Sequence, residues 1–239
     1  MATPERKPAP DYRGLATVEP QYQDCLDLAA EHGLATLGLM TNQVWHDDPR
    51  RLAFVLARYK FVAKMLAGAG AVLEVGCADA FGTRIVQQEV GRVTATDIDQ
   101  TLLDDARRRM DPKWPLDFKV HDLLSGPLAG PFDAAYSLDV LEHIEPKDER
   151  RFVANLARSI KREGTVLVGT PSLAGQQWAS PQSKIGHINC KDAPELKALM
   201  VAFFHNVFIF SMNDEVVHTG FHAMAHYYFA LCCGAKAIG

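Results

Sequence analysis

Short apolar runs alternate with helix-patterned segments through the middle of this chain, and that alternation is what most restricts its fold. The runs are 71–75, 92–96, 118–120, 132–137 and 164–169. Segments 82–90, 100–110 and 146–161 carry helical spacing between them. Parallel strands need long crossovers, and helices that pack on both faces leave the strands apolar throughout. The pattern therefore predicts a parallel, doubly wound α/β sheet. Beyond it, 193–203 reads as a helix, and 206–212 and 223–231 as two strands around a turn containing Asn213, Asp214 and Gly220. These add an antiparallel hairpin at the sheet's edge, which makes seven strands in all.

The region before the first strand differs. Residues 1–19 are polar and read as loosely attached, and 21–32 has helical spacing at Cys25, Leu26, Leu28 and Ala29. Asp48 and Pro49 form a helix start. That helix runs through Leu52, Tyr59 and Met65 to Leu66 and stops at Gly68 and Gly70. The expected division is an N-terminal segment and helical cap over 1–68 and an α/β domain over 69–239. A net charge of −4 gives no basic field for a phosphate backbone, and Arg107, Arg108 and Arg109 share their segment with Asp104 and Asp105. Nucleic acid is therefore not expected as a partner. No apolar run reaches the ~18 residues that span a bilayer, and 1–14 has no apolar signal core. The five cysteines, Cys25, Cys77, Cys190, Cys232 and Cys233, are odd in number and form no CxxC. The expectation is a cytoplasmic protein without membrane contact.

The most informative segment is Val72-Leu73-Glu74-Val75-Gly76-Cys77-Ala78-Asp79-Ala80-Phe81-Gly82. An apolar strand ends in an acid, a turn of small residues follows, and a helix begins. Small residues let a ligand approach the backbone, and ligands of open parallel sheets sit outside the carboxyl ends of the strands. Asp97 closes the next strand 23 residues after Glu74, where an acid accepts hydrogen bonds from ribose hydroxyls. Asp122, after the third strand, is placed to bond an adenine amino group. The turn lacks GxGxxG spacing, and Glu74 would repel a pyrophosphate but suits a cationic ligand. A sulfonium nucleoside fits better than a dinucleotide.

These residues resemble class I S-adenosylmethionine-dependent methyltransferases. Glu74-Val75-Gly76-Cys77-Ala78 is similar to the family's first motif, with alanine at Ala78 and Ala80 where glycine is usual. Asp97, Asp122-Leu123, the segment from Phe132 to Ser137, Leu141-Glu142-His143-Ile144 and the segment from Gly164 to Val168 are similar to its later motifs. The resemblance implies a Rossmann-like fold and S-adenosylmethionine as cofactor. It implies contacts from Glu74, Gly76, Ala78, Gly82, Asp97, Ile98, Asp122, Leu123 and Leu138. It also implies an N-terminal cover over the pocket, with Arg58, Tyr59 and Trp45 as candidates and Arg58 pairing with the methionine carboxylate.

Methyl transfer needs an acceptor held close to the methyl and, for a hydroxyl, a place for its proton. Asp139, Glu142 and His143 follow the fourth strand at spacings that share one face of a helical turn. His187 follows the fifth. Two carboxylates and two imidazoles suit a divalent ion such as Mg2+ or Mn2+. The pattern resembles two metal-dependent branches, the small-RNA 2′-O-methyltransferases and the ubiquinone-pathway O-methyltransferases, with Asp139 in place of the usual glutamate. Without a metal, His143 with Glu142 is the candidate general base; a purely packing role for His143 is the third reading. His218, His222 and His226 recur every four residues but cross a turn, so a shared face is not expected. The loop 170–193, with Gln176, Gln177, Trp178 and Ser180, is long enough to suggest function. The leading expectation is O-methylation of a small polar acceptor: a sugar, a nucleotide-sugar or a natural-product intermediate. N-methylation of a small amine or heterocycle and a non-catalytic cofactor-binding domain are the alternatives. A homodimer stays open.

Overall fold

The computed structural model describes residues 10–238. The expectation of a loose start falls partly on residues 1–9, outside the described residues. The chain forms two compact units, one ending at Thr36 and one running from Leu37 onward. In the first unit a 3-10 turn, Pro20–Tyr22, leads into α1 (Gln23–His32), which Gly33 ends at φ +73°.

The larger unit begins with α2 (Leu39–Asp47) and α3 (Arg50–Met65). The sequence pattern does not predict α2. Its N-cap, Gly38, has no side chain to cap with. The orphan amide of Thr41 instead bonds the Asp79 carboxylate at 2.7 Å, an acid far away in sequence that also favours a helix N-terminus electrostatically.

The sheet follows: β1 (Ala71–Val75), α4 (Thr83–Val86), β2 (Arg92–Asp97), α5 (Gln100–Arg109), β3 (Asp117–Val120), β4 (Phe132–Leu138), α6 (Glu149–Ser159) and β5 (Ile160–Pro171). Then come α7 (Pro181–Gly186), α8 (Ala193–Val201), β6 (Phe204–Asn213), β7 (Val216–His218) and β8 (Tyr227–Ala235). The spatial order is β3-β2-β1-β4-β5-β8-β6-β7. The first five strands are mutually parallel and the last three join antiparallel. The doubly wound, mostly parallel sheet is as expected. β1 and β4 lie at its centre and are almost entirely buried, so their residues carry no polar alternation.

Several sequence expectations need correction. The sheet has eight strands, not seven. Val216, Val217 and His218 double back on β6 across a tight turn with Asp214 at φ +50°. This turn falls inside what the sequence presents as one long connection. The last strand starts at Tyr227 and not at residue 223, because His222–Met224 winds into a 3-10 turn. It runs on to Ala235, with Cys232 fully buried. The helix expected over 82–90 is only Thr83–Val86, and part of the loop 170–193 is ordered as a 3-10 turn, Ala174–Trp178, and as α7.

Two apolar layers flank the sheet. One side packs Leu73, Ala135, Leu141, Phe152, Leu156, Val166, Leu196 and Phe204 beneath α6 and α8. The other packs Val62, Leu66, Val72, Tyr136, Leu167 and Phe229 beneath α3. Among the described residues no helix is long and apolar enough to cross a membrane.

The chain leaves β1 through three left-handed residues: Gly76 (φ +79°), Ala78 (φ +49°) and Ala80 (φ +53°). Alanine pays for that conformation through its Cβ, about 1–2 kcal/mol, while glycine gives back about 0.4–1 kcal/mol in unfolded-state entropy. Ala80 also packs a buried methyl, whereas Ala78 is only half-buried. Ala78→Gly is therefore expected to stabilise the protein by about 0.5–1 kcal/mol, read as a higher urea midpoint at unchanged m-value.

Candidate active site at the carboxyl edge of the sheet

The turn 76–82 lies across the carboxyl ends of β1 and β2. Gly76 and Cys77 donate their amides to the Thr96 carbonyl at 2.8 and 2.9 Å. Ala78 donates its own to Asp97 Oδ2 at 2.8 Å, and Asp97 Oδ1 accepts from Asp99 at 2.9 Å. Asp97 is thus fixed at the strand end, beside the turn. Ile98 follows it 72% exposed, an apolar surface next to an acid. Asp122 is exposed and accepts from the Leu124 amide, while Leu123 turns its side chain into the core. Leu138 is likewise buried. Gly82 lies against the Tyr59 ring and Gly76 against Val140, closer than a Cβ would allow.

Glu74 departs from expectation. It is 1% exposed, with its carboxylate among the chain's own side chains. Thr83 donates to it at 2.6 Å, and the Tyr59 and Tyr136 hydroxyls flank it. Burial pushes its pKa up to about 7, and the hydrogen bonds hold it from going further. Its place is beneath the turn, supporting the start of α4.

A second cluster of polar side chains lies where β4 ends. Leu141–His143 forms a 3-10 turn with Glu142 fully buried. Glu142 Oε2 accepts from Thr170 at 3.2 Å, and Oε1 is buried without a partner. Burial and the nearby Asp139 charge raise its pKa. Single donor atoms of Glu142, His143 and His187 lie within 4.8 Å of one another. The His143 Nδ1 sits 2.8 Å from the Gly186 carbonyl, which can only accept, so the neutral ring has its proton on Nδ1 and its lone pair on Nε2. His187 Nδ1 is 2.8 Å from Gln176 Oε1 and is oriented in the same way. Burial, then the neighbouring His143, lowers the pKa of His187 and keeps it neutral.

His187 reaches this place through the backbone. The amides of Ile188 and Asn189 both donate to the Glu142 carbonyl, at 2.9 and 3.0 Å. Asn189 bonds Glu149, and Lys191 bonds both Asn189 and Glu149. These four residues, which sequence reading did not single out, anchor the loop to α6.

Asp139 does not join the cluster. It stands at φ +56° and pairs with Arg58, whose Nη1 lies 2.8 Å from both of its oxygens. That pairing turns the expected fourth metal donor away. Among the described residues, His218, His222 and His226 form no metal-type group; His218 bonds Asn213 and the Gly220 amide within its own turn. Gln43 of α2 bonds Gln182 of α7 at 3.3 Å, while Trp45 and Trp178 are exposed.

Comparison with known proteins now bears on this geometry. The family described as "Methyltransferase domain" matches residues 72–164. A Mycobacterium tuberculosis protein named a probable S-adenosylmethionine-dependent methyltransferase is 29% identical over 102 residues, covering 42% of this chain and 35% of that protein. An uncharacterized methyltransferase of Mycobacterium bovis is 34% identical over 116 residues, covering 46% and 57%. The alignments thus span from about a third to somewhat over half of these curated relatives. Among solved structures, the N-methyltransferase NodS of Bradyrhizobium japonicum with S-adenosyl-L-homocysteine superposes at TM-score 0.57 and 20% identity, covering 80% of this chain and 91% of that one. The methyltransferase domain of bacterial CtHen1-C superposes at TM-score 0.61 and 15% identity, covering 76% and 100%. These two likenesses are of fold.

The buried acid under the turn makes a testable claim about stability. Glu74 titrates near 4.5 when unfolded and near 7 when folded. The folded state therefore holds a proton that the unfolded state releases between those values. Stability from this group is intact below pH 4.5 and falls as pH rises toward 7, by roughly 3 kcal/mol. Urea unfolding of the wild type and Glu74→Gln from pH 4.5 to 8 should show the difference between them growing with pH in favour of the variant. A pH-independent difference would refute the assignment.

Proposed function

We propose that this chain, whose residues 72–164 match the methyltransferase-domain family, is a class I enzyme that moves the methyl group of S-adenosylmethionine to a hydroxyl of a small polar acceptor. A sugar, a nucleotide-sugar or a natural-product intermediate fits the description. The observation that carries the reading is the cluster of Glu142, His143 and His187 at the carboxyl end of β4.

The chain's residues fit the cofactor. Asp97 is set to take the ribose hydroxyls, Ile98 to cover the adenine face and Asp122 with the Leu123 backbone to meet the adenine edge. The turn at Gly76, Ala78 and Gly82 receives the remainder, and Leu138 closes the floor beneath it. Arg58 is the candidate for the methionine carboxylate. When bound, S-adenosylmethionine supplies a methyl on a positive sulfur.

With the cofactor bound, this methyl would pass to the acceptor oxygen as its bond to sulfur is lost, and the chain's residues would hold the acceptor in line with it. The hydroxyl proton passes to His143 Nε2, freed for this by the bond from Nδ1 to Gly186. Positioning supplies most of the acceleration in an in-line displacement.

The same cluster fits a divalent ion. Glu142 Oε1 is a buried, unspent acceptor, and both imidazoles are oriented by partners on Nδ1, as metal-binding histidines are. Glu142, His143 and His187 would hold Mg2+, Mn2+ or a similar ion. It would lower the pKa of the acceptor hydroxyl and orient it. N-methylation is the second reading. Asp139, paired with Arg58, leaves a smaller donor set than the expected four, and an amine acceptor needs no metal. The net charge of −4 supports a small acceptor over RNA.

Two measurements test this. Methyl transfer from labelled cofactor to a panel of hydroxyl acceptors should lose about 10²–10⁴-fold in kcat/KM in His143→Ala, with S-adenosylhomocysteine binding retained. Full hydroxyl methylation by that variant would sink the assignment. Calorimetric titration of Mn2+ into protein saturated with S-adenosylhomocysteine should show one ion per chain, lost in His187→Ala; absence of heat removes the metal and leaves the base.

A further inference from the structure

The loop that supplies His187 is built inside out. Large apolar side chains ordinarily point inward and polar ones toward water. Between residues 172 and 190 the reverse holds. Trp178 and Ile185 are 72% and 82% exposed, and Leu173 and Ile188 are exposed as well. The polar side chains are meanwhile bonded within the fold. Gln176 places Oε1 on His187 and donates from Nε2 to the Ser172 carbonyl at 3.2 Å. Gln177 donates to the Ala174 carbonyl, the Ser180 and Ser183 hydroxyls bond each other at 2.9 Å, and the Ser172 hydroxyl donates to the Ala225 carbonyl at 2.6 Å. Lys184 is the one formally charged residue of the segment, in a chain that is 23% charged. Its Nζ donates to the Gln177 carbonyl at 3.1 Å.

A second segment extends this surface. The Ser172 amide donates to the His226 carbonyl at 2.8 Å, and the Trp178 ring centre lies 6.4 Å from that of His226. Residues 216–230 contain no Asp, Glu, Lys or Arg, and Phe221 and Met224 within them are exposed. Single exposed apolar residues need no explanation, but a group of them almost free of charge marks a binding surface. The polar cluster adjoins it. Ile185 precedes Gly186, whose carbonyl faces His143; Ile188 follows His187; and Trp178 shares its 3-10 turn with Gln176. His143 is itself exposed. A few polar groups set in an apolar surround is the composition of a small-molecule site.

We propose that the acceptor is a neutral molecule that carries its hydroxyl on an apolar body, with an aromatic ring seated against Trp178 and Ile185 and the hydroxyl directed to His143 and His187. This rests on the hydroxyl reading above and narrows it. A diphosphate would meet a single cation in 172–190, one that already bonds Gln177. The several hydroxyls of a sugar would meet polar side chains that already bond one another or the backbone. An apolar ring asks for neither. Of the three acceptor classes, the nucleotide-sugar and the free sugar fall away and the natural-product intermediate stays.

Calorimetry on protein saturated with S-adenosylhomocysteine tests this without turnover. The titrants are para-butylphenol, glucose and uridine diphosphate glucose. The phenol should bind about tenfold tighter than either sugar, and Trp178→Ser and Ile185→Ser should weaken it roughly tenfold and several-fold. Both variants should keep the wild-type affinity for S-adenosylhomocysteine, which shows that they are folded. Tighter binding of either sugar, a phenol affinity that neither substitution moves, or no binding of the phenol to protein that holds S-adenosylhomocysteine would overturn the proposal. So would a wild-type dimer that Trp178→Ser converts to a monomer with its phenol affinity intact, because a second copy would then be what covers this surface. Labelled methyl transfer scores the hydroxyl reading separately: para-butylaniline methylated in place of para-butylphenol sinks that reading and leaves the apolar body standing. A wild type that does not bind S-adenosylhomocysteine sinks the cofactor reading itself.

Discussion

The reversal of the chain between β1 and α4 is the constraint from which the rest of the site follows. β1 is clamped between β2 and β4, so the backbone exits at Val75 and must re-enter a helix at Thr83. It does so through positive φ at Gly76, Ala78 and Ala80, a conformation that two of the three residues adopt at a cost. The turn persists because its surroundings over-determine it. Thr96 and Asp97 take its amides on one side, Asp79 reaches Thr41 of α2 on the other, and Glu74 holds Thr83 from below. Removing any one partner leaves a buried donor or acceptor unmatched. The turn is therefore a rigid platform, and rigidity is what close approach of a ligand to backbone requires.

A second tie fixes the cluster at the end of β4. β4 and β5 are adjacent and parallel, so the segments that leave them emerge side by side. Proximity alone would not set the distance between Glu142 and His187. Two backbone amides on one carbonyl do, and the Lys191–Glu149–Asn189 network holds the loop that supplies them. The pair of Lys191 and Glu149 is largely buried, at 11% and 19% side-chain exposure. Such a pair contributes little net stability and its value lies in specifying one arrangement.

The parallel half of the sheet is legible in the sequence because each of its strands is short, apolar and bounded by a helix pattern, and burial on both faces leaves no other reading. The turn and Asp97 are legible for a similar reason: small residues and an acid at a strand end have few structural uses. What escapes detection depends on contacts distant in sequence. α2 takes its cap from Asp79, so no local signal marks its start. β7 is three residues long, below what periodicity can resolve. Asp139 reads as one of four metal donors from its spacing, yet Arg58, in a helix 81 positions earlier, turns it elsewhere. The bond from Thr83 to Glu74 is not legible either, because the motif shows which strand Glu74 ends, not which way its carboxylate points.

Two acids in this protein, Glu74 and Glu142, have pKa values raised by burial, and a raised pKa is a common mark of an active site. Here it does not separate function from support. Glu74 is enclosed by Thr83, Tyr59 and Tyr136, and its bonds go to the fold. Glu142 spends one oxygen on Thr170 and its backbone carbonyl on the loop that carries His187, and leaves its other oxygen without a partner among two imidazoles with free lone pairs. The cost of burial is similar in kind for both. Only at Glu142 is the cost accompanied by an unpartnered acceptor beside two imidazoles, and that asymmetry is what supports the proposed reading of this end of the site.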